Sequence, residues 1–181
     1  MMTEYKKYFD AYCREHGLSL HLSVDMPAGY ETAKGAFDVS SKTVFINAKG
    51  LEKEPVCIKL FYLFHELRHA SQYLEPERFN ETIHRSIQYV ITFDGPCYKL
   101  EKNRYLKCKL DGDERYFTNL YLGQPHEIDA NTFAYEQTRK LCGDSAGLKE
   151  LFDFWVPRQA ILNGTYDRIF SLIDEKTKGM T

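Results

Sequence analysis

The sequence predicts an α+β fold: a small mixed or antiparallel sheet packed on one central helix, with further helices toward the C-terminus. Three observations predict it. Short runs with strand-like alternation or β-branched bias fall between residues 18 and 47, and a long apolar run without internal glycine spans 53–74. The last third then repeats apolar residues at intervals of three and four.

Tyr5, Tyr8, Phe9 and Tyr12 share one helical face and His16-Gly17 supplies a stop, so a first helix is expected over about Glu4 to His16. Leu18, Leu20, Leu22 and Val24 alternate with polar residues as a strand does, ending at the Pro27–Gly29 turn. Gly35 to Ser41 reads as a further extended stretch and turn, and Thr43 to Asn47 as another strand. The central helix is expected from about Lys53 to Leu74, with Pro55 in its first turn and Pro76 beyond its end. Its apolar residues (Val56, Ile58, Leu60, Phe61, Leu63, Phe64, Leu67) wrap most of the circumference, which predicts burial. A helix over Glu77–Ile91 and a hairpin of Cys97–Glu101 with Tyr105–Leu110, turning at Lys102–Arg104, follow. Three more helices are expected over Pro125–Leu141, Leu148–Trp155 and Tyr166–Ile173, punctuated by Gly143, Gly147, Pro157 and Gly164.

With 181 residues, no repeat and no linker-like tract, one domain over 1–181 is the simplest organisation, with 75–124 as an insertion or recognition segment. The 43% hydrophobic content is enough for a core, which excludes a disordered tail. Net charge is −2, so no global positive field exists to hold a phosphate backbone, and direct nucleic-acid binding is not expected. No apolar run is long enough to span a membrane, and the N-terminal residues lack the pattern of a secretory signal. Five scattered cysteines without a C-x-x-C pair indicate neither a disulfide framework nor a cysteine zinc knuckle; a reducing cytoplasm is the expected location.

The chemistry concentrates in His65-Glu66-Leu67-Arg68-His69, an H-E-x-x-H pattern inside the central helix. Residues four apart project from one helix face, so His65 and His69 can aim imidazole nitrogens at one point. Glu66 sits one step around the helix, close enough to reach a water on a bound metal, as a general base must. With 6 His among 181 residues, roughly 0.02 such patterns are expected by chance in this chain. A catalytic zinc needs a third protein ligand and an open position. Glu127 can supply it from a helix opened by Pro125, and Asn131, four residues on, can orient a ligand imidazole by hydrogen bonding. His126 and Asp129 are rival third ligands. They project about 100° and roughly 180° away from Glu127 on that helix.

The strand TVFIN, the helix carrying FHELRHASQ, and the later Glu127, Ala130, Asn131, Phe133 and Ala134 together resemble the ImmA/IrrE family of zinc-dependent metallopeptidases, over about Val44 to Ala134. The resemblance implies a zincin-like fold, zinc held by His65, His69 and Glu127, and Glu66 as catalytic base. It also implies a protein substrate, a helix-turn-helix repressor of a mobile element or stress response. Arg68 departs from the glycine common at its position. An oxyanion donor is needed besides the metal; Tyr116, Tyr121 and His126 are candidates, and Tyr121 is chosen among thirteen tyrosines. The alternatives are a non-catalytic, zinc-stabilised interaction module, which would have no use for Glu66, and a zinc hydrolase of a small amide or a cell-wall peptide, the latter disfavoured by the lack of an export signal. His84 reads as a surface residue, His16 as a helix C-terminal histidine favoured by the dipole, His21 as alternating out of a strand, Cys57 as buried filler, and the Lys99–Lys109 run as a solvated hairpin edge.

Overall fold

The computed structural model describes residues 2–102 and 104–180, with the side chains of residues 2–4 outside the description. It divides into two compact units, Met1–Arg78 with Asp129–Phe154, and Phe79–Ile128 with Trp155–Thr181. The architecture is α+β, as the sequence predicts: small mixed and antiparallel sheets, a central helix and further helices C-terminal to it.

In the first unit, helix α1 (Met2–His16) leads into strands β1 (His21–Ser23), β2 (Gly35–Asp38) and β3 (Thr43–Ile46), then helix α2 (Val56–Leu74). The sheet order is β1-β3-β2. β3 pairs in parallel with β1 and antiparallel with β2, in a register that sets Gly35 opposite Ile46. The alternation over 18–24 forms a ladder only over His21–Ser23. Helix α2 packs against β2, β3 and α1, and against α6 (Ala146–Phe154).

Pro55 stands just before α2, where its missing N–H leaves nothing unpaired. From Leu60 to Gln72 the helix is buried over most of its surface, whereas Val56 at its start is 46% exposed, so the apolar wrapping begins one turn later than its composition suggests. Leu63, Leu67 and Ala70 have no exposed surface. This burial also encloses Glu66, His69, Ser71 and Gln72, and polar groups in such a place are costly unless each finds a partner.

Ser71 finds Tyr12 of α1, hydroxyl to hydroxyl at 2.6 Å, and the Tyr12 ring meets Phe133 edge-on. Burial pushes the Tyr12 phenol up to about 12. Its folded pKa exceeds the ordinary value of 10, so this contribution to stability is whole below pH 10 and is lost as pH rises through about 12. Tyr12→Phe is expected to cost about 1 kcal/mol in urea unfolding near neutral pH, and to flatten the alkaline limb of the stability profile. An unchanged limb would show that this hydroxyl is not responsible for it.

The second unit holds helix α3 (Glu81–Ser86), strands β4 (Tyr89–Ile91), β5 (Pro96–Glu101) and β6 (Arg104–Lys109), helix α4 (Glu114–Leu122) and helix α7 (Thr165–Thr177). Its antiparallel sheet runs β4-β5-β6. Tyr89, Ile91, Cys97, Cys108, Phe117, Leu120 and Phe170 belong to its core, with Tyr89 and Phe170 stacked at 4.2 Å. The single helix expected over Glu77–Ile91 is instead a 3-10 turn at Pro76–Arg78, a short helix and a strand. Asn80 causes the restart, its side chain accepting from the Ile83 N–H, and the ladder to β5 takes Tyr89–Ile91 out of the helix. Helix α4, unforeseen in the sequence, begins where Asp113 caps the Tyr116 N–H. The hairpin has the expected strands, and Asn103 of its turn lies outside the described residues. Cys97 has no exposed surface and packs in this core, and burial pushes its thiol up to about 12.

Candidate metal centre

Helix α5 (Pro125–Cys142) carries the remaining site residues. The helix is continuous through the boundary between the units, which falls after Ile128. Asp129 is tied to α2 within the first unit: Arg68 donates from Nε to Oδ2 at 2.7 Å and from Nη2 to Oδ1 at 2.9 Å. The same guanidinium lies 4.7 Å from the ring centre of Phe133. Burial alone would lower the Arg68 pKa, but the hydrogen bonds and charge of Asp129 outweigh it and the net shift is upward.

His65 and His69 project from one face of α2, their Nε2 atoms 3.0 Å apart. Together with Glu127 they form a group whose ligating atoms all lie within 4.8 Å of one another. A tetrahedral ion with bonds of about 2.0–2.2 Å sets its ligand atoms about 3.3–3.6 Å apart. The imidazole pair is already near that separation, and the carboxylate offers an oxygen within 4.8 Å of both. Two imidazoles and one carboxylate suit zinc, and also other divalent ions of the first transition row. The residues therefore fit a metal ion, without selecting which one.

His69 is held from behind. Its Nδ1 lies 2.8 Å from Gln72 Oε1, and Gln72 Nε2 donates to Asp129 Oδ2 at 2.8 Å. Glu66 is 6% exposed and faces β2. A methyl group built on Gly35 would lie 2.7 Å from both Cγ and Oε1 of Glu66, so the strand approaches the carboxylate as closely as it does only because residue 35 has no side chain.

Of the residues singled out in the sequence, the structure brings His65, His69 and Glu127 together and buries Glu66 on the same helix turn. Asn131 is buried one turn beyond Glu127 on α5. Asp129, a rival ligand, is committed to Arg68 and Gln72. His126, the other rival, is buried with Nδ1 on Ser86 Oγ at 2.7 Å, its Nε2 3.6 Å from Glu127 Oε1. Tyr121 lies half-buried on α4 and Tyr116 is exposed there. Sequence reasoning missed Gln72 and Gly35. Gln72 was detectable, since it stands at i+3 from His69 and so shares its helix face; Gly35 carried no signal beyond being a glycine at a strand start.

No family model, curated protein or solved structure matches this chain. The described helices include none long and apolar enough to cross a membrane.

Proposed function

We propose that this protein is a zinc-dependent endopeptidase acting on a cytoplasmic regulatory protein, a DNA-binding repressor being the substrate class its resemblance to the ImmA/IrrE family suggests. The observation that carries the reading is the convergence of His65, His69 and Glu127 with a buried glutamate, Glu66, next to the first histidine. A structural site has no need of that fourth group.

His65, His69 and Glu127 would hold the ion, which when bound supplies Lewis acidity toward water and a substrate carbonyl. Glu66 takes the proton of the attacking water and returns it to the departing amine. The Gly35 backbone confines the Glu66 side chain, so the base has little freedom to turn away. Tyr121 is the proposed donor to the oxygen on which negative charge develops.

Gly35→Ala is expected to push the Glu66 carboxylate aside and to lower turnover at least about tenfold, near 1.4 kcal/mol of barrier, with metal content unchanged. Equal turnover of the two proteins would show that Glu66 is not confined in this way. The proposed function itself is tested by labelling new protein N-termini in cells expressing the wild type or Glu66→Gln. A repressor fragment seen only with the wild type is the expected result; identical N-termini in both, with metal bound, would leave a non-catalytic interaction module instead.

A further inference from the structure

The part-buried chain Arg68–Asp129–Gln72–His69 has a direction, and hydrogen-bond chemistry alone fixes it. Arg68 only donates, and its two-pronged contact of 2.7 and 2.9 Å requires Asp129 to be the carboxylate. Asp129 then only accepts, so the end of the Gln72 amide facing it at 2.8 Å must be the NH2. The carbonyl end of Gln72 therefore faces His69 and accepts from it at 2.8 Å, which places the His69 proton on Nδ1. A neutral imidazole carrying its proton on Nδ1 has its lone pair on Nε2. That is the atom 3.0 Å from His65 Nε2 in the candidate metal group.

We propose that Gln72 is a positioning residue of the metal centre: it locks His69 in the one tautomer able to ligate through Nε2, and the Arg68–Asp129 pair holds Gln72 in the orientation that does so. The inference rests on the metal-binding reading of His65, His69 and Glu127. The arginine thereby sets the polarity of the relay. Partners of this kind, one step behind a ligand, commonly change metal affinity about 10–100-fold when removed.

The test uses the full chain, zinc ion as the probe and a competing chromophoric chelator, together with long-range proton–nitrogen spectra of 15N-histidine protein, metal-free and above the imidazole titration range. The wild type is expected to show His69 as the Nδ1–H tautomer. Gln72→Leu is expected to lose about 10–100-fold in zinc affinity and to show a mixed or reversed tautomer. The tautomer is the deciding readout, because a purely structural role for Gln72 predicts no change in it. Should Gln72→Leu not fold, the wild-type spectrum decides. An Nε2–H tautomer in the wild type, or unchanged zinc affinity in folded Gln72→Leu, overturns the proposal while the metal site stands. Absence of zinc binding by the wild type overturns both.

Discussion

Glu66→Gln is expected to lower the proposed peptide cleavage by about 10²–10⁴-fold, while the protein still folds and the proposed metal site is still filled. Glutamine is close to isosteric, so the carboxamide fits beside Gly35 where the carboxylate does. What is lost is the basicity of the carboxylate: an amide oxygen still accepts hydrogen bonds but does not take up a proton near neutral pH. The substitution also removes a charge from a buried position, and stability is expected to hold or rise slightly. Zinc content and thermal midpoint separate loss of the base from loss of the site. A variant that retained wild-type turnover would remove Glu66 from the chemistry.

Asp129→Ala is expected to give the largest loss of stability among single substitutions near the site. It leaves the Arg68 guanidinium half-buried without its carboxylate, and it takes the acceptor from Gln72 as well. Stranding one member of a fully buried pair costs about 3–5 kcal/mol. Here the side chains keep 22% and 20% of their exposure, so water recovers part of this, and about 2–3 kcal/mol is expected. Arg68→Ala with Asp129→Ala should cost less than the two single losses added, because the second change removes the charge stranded by the first. Metal affinity should fall in Asp129→Ala, since the pair anchors α5 and with it Glu127. Strict additivity in denaturant unfolding would show that the two residues act independently.

The central helix and its two histidines were legible because both depend on local rules: an unbroken apolar run, a proline at its head, and spacing that puts i and i+4 on one face. Glu127 was legible for the same reason, four residues before Asn131 at the start of a helix. The region from Glu77 to Ile91 was misread because its helical periodicity is real but weaker than two non-local events, the ladder between β4 and β5 and the capping by Asn80. The relay behind His69 was out of reach for a different reason. Arg68 and Asp129 are 61 residues apart, and nothing in either segment names the other as its partner. Gly35 likewise owes its role to the register of β2 against β3 and to α2 lying beside β2.

The central claim is that His65, His69 and Glu127 bind one metal ion. Metal stoichiometry by plasma mass spectrometry, on untagged protein purified without chelator and with Glu127→Ala prepared in parallel, tests it most directly. The expected result is one zinc or similar divalent ion per chain in the wild type and a large reduction in the variant. No bound metal in the wild type, even after zinc is supplied, would contradict the account and leave H-E-x-x-H as a chance pattern on a buried helix.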